Sequence, residues 1–300
     1  MNKLLGLRAL AHTDALTGSA TFESDVTAQL VADGEGVLDS EFGVTTFTIT
    51  GLLAMDVYFA YNDAAALTLA QSLWNLAFTS QVQPDQRFPR VRTITHNTNH
   101  DRPLNPSLSS YLYKATQNAT YLASAELAAQ FVRKQLAGGV PLNDIDIASC
   151  AISSSNTGPG DAGFVLEGLA TLSALTNSPF DDFMRTLIAS TVPFSAWTGP
   201  DGIFLADADA ANLINAELTP PEFIRGLHEA WSSMDAQDPA ALFIQSFLMV
   251  QYNALLNLAS ANNTYALNWH GPPPTQVDSV AQTAPLDVLN AAIVVGLPDA

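Results

Sequence analysis

A single cysteine in 300 residues, Cys150, excludes an internal disulfide and any cysteine-based zinc site. Positive charge is also scarce, with 11 Lys and Arg against 29 Asp and Glu and a formal charge of -18. Nucleic acid and anionic membranes would be repelled, so a neutral partner is expected. No stretch approaches the ~20 uninterrupted apolar residues of a transmembrane helix. Arg8, His12 and Asp14 interrupt the leucines after Met1 before a signal-peptide core of ~7–15 residues can form. Phosphate-binding loops, Gly-x-Ser-x-Gly elbows and dinucleotide fingerprints are missing, which leaves nucleotide and serine-hydrolase chemistry without support.

What the chain does have is apolar content, 48% of residues, enough to fill a substantial core. It is arranged as a repeat: an apolar segment at helical spacing, a short polar turn, then a more amphipathic segment. The turns centre on Gly18, Asn62, Asn118, Asn177 and Gln237, at separations of 44, 56, 59 and 60 residues. Gly51–Tyr61 and Gly163–Leu175 read as inner helices buried nearly all round. The segment from Ala119 to Leu136 places Leu122, Ala125, Ala129, Val132 and Leu136 on one stripe, with its charges elsewhere. Five such hairpins and a last helix near Leu286–Val295 predict an all-α (α/α)6 toroid in one domain, residues 1–300. Eleven helices are counted of the twelve that six hairpins need, and the abrupt start at Met1 points to one missing at the N-terminus.

Helix signals agree with the repeat. Pro179 followed by Asp181 and Asp182, and Asp238-Pro239, read as helix starts, and Ala137-Gly-Gly-Val-Pro141 as a stop. The polar or Pro/Gly-rich stretches Gln83–Pro106, Asn143–Gly160 and Thr198–Pro221 are the long connections on which a site would be built. Two Asn-X-Thr sequons stand at Asn118 and Asn262.

Five runs in order carry a resemblance: Gly163-Phe-Val-Leu-Glu-Gly-Leu169, Glu222-Phe-Ile-Arg-Gly-Leu-His-Glu-Ala230, Phe247–Leu256, Asn268-Trp-His-Gly-Pro-Pro273 and Leu286–Ala292. From about Leu10 to Val295 the chain resembles fungal members of glycoside hydrolase family 76. The resemblance implies an (α/α)6 toroid, an endo-α-1,6-mannanase activity with retention of configuration, and a secreted or cell-wall location. It implies α-mannan, a neutral polysaccharide, as partner; from the charge balance no nucleic acid and no membrane is expected to bind, and a monomer is expected. No cofactor and no metal are expected.

Retaining hydrolysis needs two carboxyl groups ~5 Å apart. By the resemblance these are adjacent aspartates leading an inner helix, and aligning Gly51-Leu52 and Tyr61-Asn-Asp63 puts them near Thr45 and Thr46. The expected tryptophan falls near Thr50. Threonine hydroxyls are neutral and cannot replace carboxylates. Asp39, Glu41 and Asp56 are the substitute catalytic candidates. Asp181-Asp182, the one adjacent pair, reads as helix capping.

Asp161, Glu167, Arg225, Glu229 and Trp269 are the substrate-binding candidates. Glu167, Arg225 and Glu229 sit on apolar inner helices, where a charge faces either a wet cleft or an ion-pair partner such as Glu167 with Arg225. Asp161 takes the place where the family commonly has asparagine. Trp269 and His270 either stack on a sugar or pack on their own loop. His96 and His100 with Asp101 form a weak metal candidate, and Cys150, whose family partner is missing, is expected to be a free thiol.

Overall fold

Each described turn between paired segments lies between two helices. A computed structural model describes residues 2–38, 44–81, 106–134, 136–137, 139–141, 144–146, 151–153, 158–176, 180–205, 220–278 and 281–296. Gly18 follows α1 (Asn2–Thr17) and precedes α2 (Glu23–Leu38), and Asn62 separates α3 (Val44–Tyr61) from α4 (Ala64–Gln81). Gln117 and Asn118 separate α5 (Pro106–Thr116) from α6 (Ala119–Lys134). There follow α7 (Pro159–Leu175), α8 (Asp181–Thr191), α9 (Pro220–Ser232), α10 (Pro239–Asn257) and α11 (Thr283–Val294). Asn177 lies outside the described residues. Gly18, Asn62 and Gln117 have φ of 64°, 57° and 56°, the left-handed geometry that ends a helix. Gln117, the least suited to it, turns its carboxamide back to the carbonyls of Tyr113 and Lys114.

The helix stop after α6 becomes a short ribbon, β1 (Leu136–Ala137) and β2 (Val140–Pro141). A second ribbon, β3 (Asp144–Asp146) with β4 (Ala151–Ser153), was not legible in the Asn143–Gly160 connection. Three residues per strand give too little alternation to read as a period of two. The third ribbon pairs β5 (Ser260–Ala261) with β6 (Thr264–Tyr265).

Contacts group the chain into two compact units, one of Met1–Ala9, Gly138–Val140 and Gly158–Ala300, the other of Leu10–Ala137 and Pro141–Thr157. In the second, α3 has an apolar centre: Leu52, Leu53, Ala54 and Met55 are fully buried, as the sequence predicts for an inner helix. Leu108 of α5 fills the space over Gly51, and Phe47 joins Val37, Leu73 and Ala77 in a core cluster. Trp74 of α4 stacks on Phe78, meets Tyr121 of α6 edge-on, and donates its indole N–H to Ser109 Oγ at 2.8 Å. The predicted stripe on α6 is buried at Ala125, Ala129 and Val132, and Tyr121 and Ala128 widen it. Leu136 lies beyond the helix, in β1.

A carboxylate organises the α1–α2 turn of this unit. Asp14 accepts from Ser19 Oγ (2.5 Å), Thr21 N (3.1 Å), Phe22 N (2.7 Å) and Tyr61 Oη (2.9 Å). Burial pushes its pKa up, but these donors outweigh it and hold the group below 3.8. The Tyr61 hydroxyl is pushed up by burial and by Asp14.

In the other unit α7 and α9 meet backbone to backbone. A Cβ on Gly163 would fall 2.1 Å from the Glu222 carbonyl oxygen, and one on Gly226 would fall 2.1 Å from that of Gly163. Only glycine allows this approach. Asp238 caps α10 through Ala240 N at 2.8 Å, with Pro239 in the first turn as expected. Its other oxygen accepts from Arg185 of α8 at 2.8 and 3.2 Å. Among the described helices α10 is long and apolar enough to cross a membrane, with a mean hydropathy of 1.3, yet Ile244, Phe247, Leu248, Gln251 and Leu255 are buried in the unit's core.

Candidate functional site

Two helical regions and a pair of loops hold most of the described residues singled out above. The first is α3. Its first turn, where the resemblance expects adjacent aspartates, contains no acid. Thr46 is partly buried there, and Thr50 is fully buried with no hydrogen-bond partner for its hydroxyl. Asp56, the one carboxylate of α3, is half-buried in the second half of the helix. Asp39 and Glu41, like the Thr45 side chain, lie outside the described residues, as do His96, His100, Asp101 and Cys150.

The second place is the interior of the unit containing α7, α9 and α11. Asp161 is buried in the first turn of α7, after Gly158 and Pro159. Glu167, two turns on and 1% exposed, receives Arg8 Nη2 at 2.6 Å. Arg225 of α9 donates Nε (3.1 Å) and Nη2 (2.8 Å) to Asp287 Oδ1 of α11. Asn290, one turn past Asp287, donates to the Ala9 carbonyl at 3.1 Å. His228 is buried beside them, and its pKa is lowered to about 4, by burial first and by Arg225 second, with Glu167 opposing. Glu222 is buried in the first turn of α9, and Glu229 is half-buried near its end.

Glu167 and Arg225 thus each hold an ion pair inside the core, the structural side of the alternative left open by sequence. Their partners Arg8 and Asp287 were not anticipated. Arg8 read only as an interruption of a leucine run, yet a charge within an apolar helix was the available signal: it demands a partner.

The loops beside α9 and α10 carry the aromatic candidate. Trp269 is 3% exposed and packs on Phe204 (centroids 5.9 Å apart), itself against Phe223 at 6.1 Å. The indole thus lies against a phenylalanine of another loop in this structure. Gln251 of α10 fixes the facing loop, its Oε1 accepting from Phe204 N and its Nε2 donating to the Gly202 carbonyl, both at 2.8 Å. His270 remains at the surface, 3.0 Å from Asp201. Backbone N–H of Ile203 first, and His270 in addition, hold the Asp201 carboxyl below its ordinary value. Asp181 and Asp182 occupy the first turn of α8, as expected of dipole-stabilising acids, and Asp181 also accepts from Ser173.

No family model matches the chain, and no curated protein does. Solved structures do. The α-1,6-mannanase GH76A of Salegentibacter sp. HEL1_6 superposes with a TM-score of 0.80 at 16% identity, covering 98% of this chain and 90% of that one. An inactive double-aspartate variant of that enzyme, in complex with α-1,6-mannotriose, gives 0.81 at 16% identity over the same shares. Dfg5 from Chaetomium thermophilum, in complex with glucosamine, gives 0.74 at 14% identity over 98% of this chain and 79% of that one. With eleven helices among the described residues and sheet confined to short ribbons, the chain has the all-α (α/α)6 toroid fold of the family 76 glycoside hydrolases.

Proposed function

We propose that this chain is a glycoside hydrolase family 76-like protein whose ligand is α-1,6-linked mannan, acting outside the cell or in its wall as a monomer. The observation that carries the reading is the superposition of 98% of the chain on a mannanase structure that holds α-1,6-mannotriose. The charge balance suits it: a chain with a net charge of -18 repels polyanions but not an uncharged polysaccharide.

Hydrolysis with retention would take a nucleophilic carboxylate and an acid/base carboxyl ~5 Å apart. Asp39, Glu41 and Asp56 are the acids near the expected place. Asp161, Glu229 and Asp201 are the carboxylates to which saccharide hydroxyls would donate hydrogen bonds, with the His270 ring beside Asp201. Glu167 shares α7 with Asp161 and Arg225 shares α9 with Glu229, each held in a buried ion pair; these two and Trp269 complete the substrate-binding candidates. The lack of any acid in the first turn of α3 favours a second reading, a noncatalytic member that holds mannan without cutting it, and we take that as the more strongly supported of the two.

The test measures binding and turnover separately. Titration with α-1,6-mannotetraose is expected to show saturable binding, and incubation with α-1,6-mannan to release no new reducing ends. Absence of binding would sink both readings. Release of reducing ends would restore the hydrolase, and its loss in Asp56→Asn, Asp39→Asn or Glu41→Gln would then identify the acid.

A further inference from the structure

We infer that Asn118 and Asn262 are acceptors of N-linked oligosaccharide when the chain passes through a secretory pathway. Both begin Asn-X-Thr sequons, Asn118-Ala-Thr120 and Asn262-Asn-Thr264, and the mannan reading uses neither. A sequon is a modification site only where the folded chain leaves the carboxamide nitrogen in solvent and can bear a bulky group without losing a contact. Both sites meet that condition, in different ways.

Asn262 sits at the tip of the β5–β6 ribbon. With φ of 51° and 58°, Asn262 and Asn263 form a two-residue loop with both central residues left-handed, the turn that favours asparagine. Turn geometry alone accounts for the two asparagines. It leaves the Asn262 side chain exposed and without a hydrogen bond among the described residues. Thr264, which completes the sequon, donates its hydroxyl to the Ala261 carbonyl at 2.5 Å across the same loop.

Asn118 sits in the turn between α5 and α6, exposed, as is Thr120. Its Oδ1 accepts from Thr120 N at 3.0 Å, the bond of a helix N-cap. Capping occupies the oxygen and glycosylation the nitrogen, so a modified Asn118 keeps its cap. The turn is at the end of the hairpin away from the α5 N-terminus, so the sugar would stand the length of α5 from Pro106.

The transfer is an exchange of single bonds. Asparagine Nδ2 forms a bond to C1 of an oligosaccharide carried on a lipid diphosphate. The C1–O bond breaks with its electron pair leaving on the lipid diphosphate, and one amide proton passes to a base of the transferase. Nothing is oxidised or reduced.

The experiment expresses the full chain behind a secretion leader in a eukaryotic host and treats the secreted product with an amidase that removes N-glycans and converts the acceptor to aspartate. Two glycosidase-sensitive mass steps are expected, with aspartate appearing at 118 and 262 in the peptide map. Asn118→Asp and Asn262→Asp preserve the cap and the left-handed turn, and each should remove one step, the double variant both. A secreted wild type without any sensitive mass, or a step that survives in the double variant, would overturn the inference. A single step would strike out the asparagine left unmodified. If the secreted yield is too low to weigh, translation into microsomes with the same variants reads the same steps as gel shifts and decides the matter in the same way.

Discussion

The interior of the α7–α9–α11 unit and the interior around α3 use ionisable groups in opposite ways. The first holds Arg8, Glu167, Arg225, His228 and Asp287 below 5% exposure and ties four of them into two ion pairs, Arg8–Glu167 and Arg225–Asp287. The second surrounds a helix whose first half offers hydroxyls and aliphatic groups, with a single carboxylate at Asp56. A buried charge is kept only where a partner compensates its desolvation. Charge in a helical core therefore marks pairing before it marks chemistry.

Four changes would break or sharpen that contrast. Arg8→Ala leaves Glu167 buried without its 2.6 Å partner and is expected to cost about 3–5 kcal/mol in denaturant unfolding. The double replacement Arg8→Met with Glu167→Leu should recover most of the loss. A single variant within about 1 kcal/mol of wild type would show that the pair is wet. Gly226→Ala drives a methyl into the Gly163 carbonyl and should cost about 3 kcal/mol or more, whereas Gly36→Ala, with open space around its Cβ, should not destabilise α2.

The pH response should separate the two interiors. His228 has a folded pKa of about 4 against 6.5 when unfolded, so the unfolded chain takes up a proton first. Stability is full above pH 6.5 and falls as pH drops toward 4, by roughly 3 kcal/mol across that window. His228→Gln should flatten this limb, and a slope unchanged in that variant would assign it elsewhere. Asp14, held below 3.8, contributes stability that is present above that pH and lost as pH falls through its folded value. Asp14→Asn is expected to cost about 1–3 kcal/mol at neutral pH and to remove that lower limb, leaving the His228 window untouched.

Much of the architecture was legible because turn chemistry is local. Gly18, Asn62 and the Asp238-Pro239 start announce helix ends by backbone preference alone, and α3 and α7 announce burial by their apolar runs Gly51–Met55 and Ala162–Leu166. The β3–β4 ribbon was illegible, since pairing across a connection is not a local property. For the candidate site the sequence supplied the right residue types but not their partners. Asp287 was visible only as part of a motif, and Arg8 lies 159 residues from the Glu167 it neutralises. Trp269 was left between a sugar platform and a loop filler, a choice that depends on Phe204, which the chain brings to it from another loop.

The bare contact of Gly163 with Gly226 has one more consequence. Because main chain meets main chain there, the distance between the two rods is set by bond geometry and atomic radii, and repacking of side chains cannot tune it. Glu167 stands one turn from one contact point and Arg225 stands next to the other, so their heights are indexed to the same rivet. Drift in the surrounding hydrophobic positions would leave that spacing untouched, whereas adding one carbon at either glycine would shift every charge referenced to it.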